Sequence, residues 1–485
     1  MTEMKKIIIF ICLLSAIVVN TSCEDQLNAL PTQSKVDANI IVDQKSAEVA
    51  LNGIYYQYAM CGNDYYDVPS TMCFNEYELT PARLAGLVAY YQGGSIESRA
   101  ITAEDYSASG LWYSYYQTLA AANGVIEQME SKPASMFSGT RKDEIIGEAS
   151  FIRALTHYNL LRHFGRYFEI NSPNGVLLRT EAVKTGNIAK ARSTVKESYE
   201  AILKDIDKAI SGCAATKKNT YVNKWVAKGL KVRVLMMRGE SGDYAAAATI
   251  AKDIIEAGPY TLENNLKDIF RVKGMTSTEV MFAIQPKANQ NYKYSTYYYR
   301  NSVQYLATVP LQTLLQNDPR GTWMIGKSGS TGTDYEWLLG SSGIGITKFG
   351  QFSTSTALWE VSYQMRLSEI YLLYAEALVR SGGDKTIAKN MLKTVMGKAG
   401  ITNFATVDAA TTNDAILTQI FYEIQKNLFC ESGQELEVQM RMPVAAVQVV
   451  NPAIAVKNFM ILPIPAAEFR MNAAIGDQNP GYSKI

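Results

Sequence analysis

Residues 225–258 read "WVAKGLKVRVLMMRGESGDYAAAATIAKDIIEAG" and decide the fold. Apolar side chains recur at helical spacing on both sides of a short turn that contains glycine. The run Ala245–Ala248 gives the second half a face of small residues that suits close packing. The stretch therefore predicts two amphipathic helices that pack against each other.

The same pattern returns at residues 364–400, "QMRLSEIYLLYAEALVRSGGDKTIAKNMLKTVMGKAG". Helix pairs of about 34 residues with small residues at the packing points are typical of tetratricopeptide repeats. One pair cannot bury its apolar stripe alone, so such pairs stack. The sequence therefore predicts a mainly α fold.

The material between the pairs differs. Residues 280–285, "VMFAIQ", predict a short strand, whereas residues 286–360 are rich in Gly, Ser, Thr, Asn and aromatic side chains. Loops of this length inside a compact protein are usually functional or disordered. Residues 288–307, "ANQNYKYSTYYYRNSVQYLA", hold six tyrosines. Disordered segments are poor in aromatics, so we expect a functional segment at about 286–360.

The N-terminal stretch "IIIFICLLSAIVVNTSCED", residues 7–25, contains an apolar run of 13 residues, Ile7–Val19. A membrane-spanning helix needs roughly 20 apolar residues. Two lysines precede the run, and small polar residues followed by Cys23 come after it. This order predicts a lipoprotein signal peptide over residues 1–22 and a lipidated Cys23. A plain signal peptide, with Cys23 an ordinary residue, is the alternative.

Composition narrows the class of function. The chain has 47 Lys+Arg against 46 Asp+Glu, a formal net charge of +1. A near-neutral chain argues against nucleic acid as a partner, because phosphate binding needs a basic face. The other cysteines after the signal are too few for a disulfide scaffold. Whether Cys61 pairs with Cys73 stays open at this stage.

The sequence offers no recognisable catalytic motif. Its two histidines, His157 and His163, lie six residues apart on one predicted helix and hence on different faces. Packing explains them better than a metal pair, which needs further ligands. Two carboxylates suffice for a glycosidase, but glutamates such as Glu127 and Glu148 are expected on solvated helix positions. We therefore expect no enzyme, no cofactor and no metal site.

An ordered set of motifs is similar to the SusD/RagB family. The motifs that carry the resemblance are "SCEDQLNALP", "SAEVALNGIYY", "GEASFIRALTHYNLLRHFGRY", "STVKESYEAILKDIDKAI", "STEVMFAI", "NDPR", "RLSEIYLLYAEALVRSG" and "LPIPAAEFRMNAAIGDQNPGY". One block differs: this chain has "FCESGQELEVQMRMP" where the family often carries an Arg-Trp-x-Asp-Leu element.

The resemblance implies a single domain over residues 23–485, built of tetratricopeptide-like pairs in a right-handed superhelix with long irregular loops and a few short strands. Family members are lipid-anchored in the outer membrane and face the cell surface. They are not enzymes. They capture oligosaccharide, or peptide in the RagB branch, and act as the lid of a SusC-like TonB-dependent transporter.

Aromatic side chains in loops are the candidate ligand contacts. Tyrosine outnumbers phenylalanine 30 to 15, and its rigid ring with a hydroxyl suits recognition of sugars and peptides. Aromatics at helical spacing, such as Trp112, Tyr113 and Trp225, are expected in the core. The candidates are Trp323, Trp337, Tyr335, Tyr292 and Tyr294 in the loop-rich segment and Tyr65, Tyr66, Tyr90 and Tyr91 in N-terminal loops.

These two regions form one site only if the fold brings them together. Two other classes of function remain: a lipid-anchored repeat scaffold that binds only proteins, and a surface hydrolase. The aromatic loops argue against the scaffold, and the lack of a catalytic motif argues against the hydrolase. The sequence does not separate glycan from peptide.

Overall fold

The computed structural model describes residues 40–59, 75–285, 298–299, 302–327, 343–349 and 361–484. The helices in these ranges are α1 (Gln44–Ala59), α2 (Thr80–Leu84), α3 (Tyr106–Ser131), α4 (Arg141–Phe164), α5 (Val195–Gly212), α6 (Lys224–Arg238), α7 (Asp243–Ala257), α8 (Leu266–Asp268), α9 (Val309–Leu315), α10 (Gly321–Met324), α11 (Leu367–Arg380), α12 (Lys385–Lys398), α13 (Ala405–Ala409), α14 (Asn413–Leu428), α15 (Gln434–Arg441), α16 (Val444–Val447) and α17 (Ala466–Met471). The strands are β1 (Val88–Tyr90), β2 (Val280–Ile284), β3 (Tyr298–Tyr299), β4 (Ser302–Val303), β5 (Tyr305–Ala307), β6 (Ile325–Lys327), β7 (Ile344–Ile346) and β8 (Ser362–Arg366). Across these ranges, every helix is too short or too polar to cross a membrane.

The first helix pair is α6 and α7, as predicted. The side-chain oxygen of Asn223 accepts hydrogen bonds from the N–H groups of Trp225 at 2.9 Å and Val226 at 3.1 Å, which fixes the start of α6. The helix ends at Gly239, whose φ of 62° lies in the left-handed region that favours glycine. Helix α7 then packs back against α6 and also against α11.

The small-residue face of α7 differs from the predicted run Ala245–Ala248. Ala247 and Ala248 are buried, but the first two alanines of the run are exposed. Consecutive side chains point in different directions around a helix, so the packed face continues one turn later at Ala251. The close contact is thus made by residues spaced three and four apart.

The second pair is α11 and α12, but its first helix begins later than predicted. Residues 364–366 belong to β8, which pairs antiparallel with β2, placing Arg366 opposite Val280. The predicted strand at 280–285 is confirmed as β2. The prediction used helical spacing alone and therefore placed residues 364–366 in the helix. Their strand partner, β2, lies far away in sequence and could not be recognised from this pattern.

The block that differs from the family's pattern is well packed. It forms α15 and the turn before it, and it contributes Glu431 and Glu437 to the interior. Glu431 accepts hydrogen bonds from Lys348 at 2.6 Å and from Arg366 at 2.7 Å, while Arg162 donates to Glu437 at 3.1 Å. Buried charges are tolerated when they are paired in this way.

The C-terminal motif "QNPGY" ties the end of the chain to the core. The Gln478 amide accepts the N–H of Ile464 and donates to its carbonyl, both at 2.8 Å. The Asn479 amide donates to the carbonyls of Phe164 at 2.8 Å and Leu462 at 2.9 Å. The motif therefore closes the C-terminal end of α4.

Candidate functional site

A four-stranded antiparallel sheet gathers the regions that carry the predicted ligand contacts. Its strand order is β1-β5-β7-β6. Strand β1 comes from the N-terminal loop "GLVAYYQGG", and β5 comes from the loop-rich segment. Tyr90 lies opposite Tyr305 in the register that joins them. The fold thus brings these two distant regions together.

Three tyrosine rings meet at this pairing, and we call Tyr90, Tyr91 and Tyr305 the aromatic cluster. The ring centroids of Tyr90 and Tyr91 are 5.0 Å apart, and those of Tyr90 and Tyr305 are 5.6 Å apart. These are ordinary edge-to-face and tilted ring contacts. Tyr91 is 44% exposed, whereas Tyr90 and Tyr305 are half-buried. Burial, followed by the nearby Tyr91, raises the pKa of Tyr90, so its hydroxyl is protonated at neutral pH.

An ion pair supports the aromatic cluster. Arg83 donates from Nε and Nη2 to the two carboxylate oxygens of Glu97, at 2.7 and 2.8 Å. Glu97 also accepts the N–H of Tyr90 at 2.9 Å, and the guanidinium carbon of Arg83 lies 5.9 Å from the Tyr305 ring centroid. Burial alone would raise the pKa of Glu97, but the hydrogen bonds and charge of Arg83 outweigh it and lower that pKa. The pair is therefore ionised at neutral pH.

Trp323 lies in α10, and its ring packs against the core. The sequence predicted instead that this ring lies in a loop, outside the core. Its ring centroid is 5.9 Å from that of Phe270, and the guanidinium carbon of Arg271 is also 5.9 Å from the Trp323 ring. Its carbonyl accepts hydrogen bonds from Arg271 at 3.0 Å and from the Thr347 hydroxyl at 2.8 Å. Replacing Trp323 would therefore cost stability as well as any contact with ligand, because the half-buried ring packs in the core.

The other predicted contacts and the predicted lipidation site lie outside the described residues, as do Cys61 and Cys73. These predicted contacts are Tyr65, Tyr66, Tyr292, Tyr294, Tyr335 and Trp337, and the lipidation site is Cys23. Strands β6 and β7, which pair in this sheet, precede and follow residues 328–342 in the sequence. Their contact with ligand stays a prediction.

Sequence reasoning missed three residues of the site: Tyr305, Arg83 and Glu97. Tyr305 belongs to the tyrosine-rich stretch already noted, and the run Ser302–Ala307 was a possible signal for a strand. Arg83 and Glu97 carry no local signal, because their partners come from other elements. The strand register and the hydrogen bonds of Glu97 to Arg83 and Tyr90 show that these side chains lie together.

Two sequence predictions about helical residues are wrong. Tyr113 was predicted to be a core residue, but it is 56% exposed. Trp112 and Trp225, which were predicted on the same grounds, are buried as expected. Glu148 is fully buried, not solvated, where Tyr55 donates to it at 2.7 Å and Lys217 and Arg141 form ion pairs with it. Two of its partners, Tyr55 and Lys217, lie outside α4, so helical position alone predicted exposure.

Both histidines are buried helix residues, as predicted. Burial, followed by the neighbouring charge of Arg153, lowers the pKa of His157 to about 3. Burial and the charge of Arg162 do the same for His163. Within the described ranges, no group of three His, Cys, Asp or Glu side chains has the arrangement of a metal site.

The helix pairs α6–α7 and α11–α12 pack against each other through α7 and α11, which is the arrangement of helical-repeat proteins. A family model described as "Starch-binding associating with outer membrane" matches residues 28–236, and a second described as "SusD family" matches residues 274–436. The chain belongs to the SusD family.

Solved structures share the fold. A SusD superfamily protein from Bacteroides thetaiotaomicron VPI-5482 is 21% identical, with a TM-score of 0.73 over 90% of this chain and 100% of that one. A laminarin-binding SusD-like protein is 18% identical, with a TM-score of 0.68 over 91% of this chain and 100% of that one. A structure with xylogluco-oligosaccharide is 17% identical, with a TM-score of 0.71 over 90% of this chain and 99% of that one. The mainly helical fold is thereby confirmed.

A SusD-like protein from Bacteroides ovatus is 22% identical over 276 residues, which cover 54% of this chain. The match spans 47% of that relative, so about half of its length is compared.

Proposed function

We propose that this chain is a cell-surface lipoprotein that captures oligosaccharides and delivers them to a SusC-like TonB-dependent transporter, whose lid it forms. It acts by binding and not by catalysis. Residues 23–485 make one domain, anchored in the outer membrane through Cys23. The sheet that carries the aromatic cluster is its ligand-binding surface.

The observation that carries this proposal is the β1–β5 pairing. It places three tyrosine rings side by side, one of them well exposed. A sugar ring presents a C–H face that packs on an aromatic plane and hydroxyls that need polar groups at the rim. The Tyr90 and Tyr91 hydroxyls and the Gln92 side chain supply such groups.

The relatives support the same class of ligand. The solved structures of the same fold include one protein described as laminarin-binding and one with xylogluco-oligosaccharide. At this level of identity the ligand does not carry over by itself, so it enters here as part of the proposal.

The test is titration calorimetry with a panel of oligosaccharides and peptides. Tyr90→Ala and Tyr305→Ala should each weaken binding of the best ligand by about 1–4 kcal/mol, the range for an aromatic hot spot. Tyr113→Ala is the control, because Tyr113 is 56% exposed on α3 and outside the cluster. Wild-type affinity in both cluster variants would place the site elsewhere.

The same panel decides between glycan and peptide. If a peptide binds to wild type and this binding is lost in Tyr90→Ala and Tyr305→Ala, the protein has a RagB-like role in peptide capture and not the oligosaccharide role. If cleavage products accumulate during the incubation and no longer form after replacement of one carboxylate, the protein is an enzyme and the binding-protein proposal is wrong.

A further inference from the structure

The Arg83 guanidinium beside the aromatic cluster is already engaged. Its Nε and Nη2 donate to both oxygens of Glu97 at 2.7 and 2.8 Å. This two-point contact is the one that an arginine makes with a carboxylate of a ligand. The side chains of Arg83 and Glu97 are 12% and 18% exposed, so the pair reaches the surface next to Tyr305.

Glu97 is also fixed in place. Its Oε1 accepts the N–H of Tyr90 at 2.9 Å, which ties the carboxylate to strand β1. A Cβ at Gly94 would lie 3.0 Å from Glu97 Oε2 and 3.3 Å from Arg83 Nη2, so the chain passes closely over the pair there. The carboxylate therefore has little freedom to leave Arg83.

We propose that Glu97 is a specificity-determining residue that makes this site select uncharged over acidic oligosaccharides. The inference rests on the proposed function and deepens it. A uronic-acid carboxylate approaching the aromatic cluster meets an arginine whose paired donors are occupied, and it meets the negative charge of Glu97. Specificity of this kind comes from a repulsive element as much as from an attractive one.

The next cation along the loop, Arg99, interacts electrostatically with Glu97 but makes its hydrogen bonds elsewhere. Arg99 donates from Nη2 to the carbonyl of Leu84 at 2.8 Å and to Asn451 Oδ1 at 3.1 Å. Its Nη2 is thus held by one backbone carbonyl and one side-chain amide oxygen. The guanidinium of Arg83, by contrast, lies over the Tyr305 ring of the aromatic cluster, and Glu97 is its ion-pair partner.

The experiment compares Glu97→Gln with wild type, using neutral and acidic oligosaccharides of equal length. Probes are a xylogluco-oligosaccharide, a laminari-oligosaccharide and an oligogalacturonate. Wild type should bind a neutral probe more tightly than the acidic one. In Glu97→Gln the affinity for oligogalacturonate should rise on the order of tenfold, and the gain should shrink at high salt.

Asp243→Asn is the matched control. Asp243 accepts from Nε and Nη2 of Arg238 at 2.8 and 2.6 Å and also accepts the N–H of Glu240 at 2.9 Å. Asp243, at the start of α7 and outside the sheet, therefore makes the same two-point contact with an arginine as Glu97 does. Asp243→Asn removes the same charge as Glu97→Gln. In Asp243→Asn, the ratio of the affinity for a neutral probe to the affinity for oligogalacturonate should match that of wild type.

Two more variants protect the test against misfolding of Glu97→Gln. Glu97→Asp keeps the charge and should keep oligogalacturonate excluded. The double variant Arg83→Gln/Glu97→Gln should not show the increased affinity for oligogalacturonate, because the cation that would bind the acidic probe is gone. An unchanged ratio in Glu97→Gln, or a wild type that prefers oligogalacturonate, overturns the assignment of Glu97 while leaving the oligosaccharide role intact. If no oligosaccharide binds wild type, the proposed function fails and this inference with it.

Discussion

At the scale of single residues, the buried histidines of α4 link folding to pH. In the folded protein the pKa of His157 and of His163 is about 3, against an ordinary value of 6.5. Between these values the unfolded chain binds more protons than the folded one. Stability is therefore greatest above pH 6.5 and falls as the pH drops towards 3, by up to about 1.4 kcal/mol per pH unit for each histidine.

Urea unfolding between about pH 7.5 and 4 measures this slope. Acidic groups such as Asp318, whose pKa is about 2, contribute in the same direction at lower pH, so a variant is needed to isolate the histidines. In His157→Gln the loss of stability on acidification should be smaller than in wild type. Parallel curves for the two proteins down to pH 4 would show that His157 is not the group that takes up the proton.

At the scale of elements, local patterns predicted what local interactions determine. The helix pairs, β2 and the buried tryptophans follow from periodicity within a window of the chain. The late start of α11 and the burial of Glu148 depend on partners more than 60 residues away in sequence, namely β2 and Lys217. No window of the sequence contains that information, so those predictions were wrong.

The crossing of α4 and α5 rests on two glycines that sit against backbone. A Cβ at Gly147 would lie 2.8 Å from the Cys213 nitrogen, and one at Gly212 would lie 2.6 Å from the Asp143 carbonyl. Backbone cannot move aside as a side chain can. Gly147→Ala should therefore destabilise the protein by about 1–3 kcal/mol through overpacking.

Gly124→Ala is the control for that prediction. Gly124 is also inside a helix, but no atom lies within 4 Å of its added Cβ. There the higher helix propensity of alanine should stabilise the protein by up to about 1 kcal/mol. Both free energies come from urea unfolding at neutral pH. Equal effects of the two substitutions would show that α4 and α5 do not pack as closely as described.

At the scale of the whole molecule, the candidate site depends on a sheet that no single segment predicts. The aromatic loops marked both regions as functional, and Tyr90 and Tyr91 lie in the sheet or directly beside it. Their neighbours Tyr305, Arg83 and Glu97 required the pairing of β1 with β5, which joins segments more than 200 residues apart. Composition indicated the kind of candidate site, and topology shows which side chains lie together in it.

The proposed lipid anchor gives the last prediction, which concerns where the whole molecule resides. The 13-residue apolar run before Cys23 is too short to span a membrane, so we expect cleavage after Ser22 and acylation of Cys23. Acyl chains, not a helix, then hold the protein at the outer membrane. Cys23→Ala should release the protein from the membrane fraction, and Cys12→Ala, inside the signal peptide, should not. Fractionation and mass spectrometry of the N-terminal peptide measure both effects. A Cys23→Ala protein that stays in the outer membrane and still carries acyl chains would place the anchor at another residue.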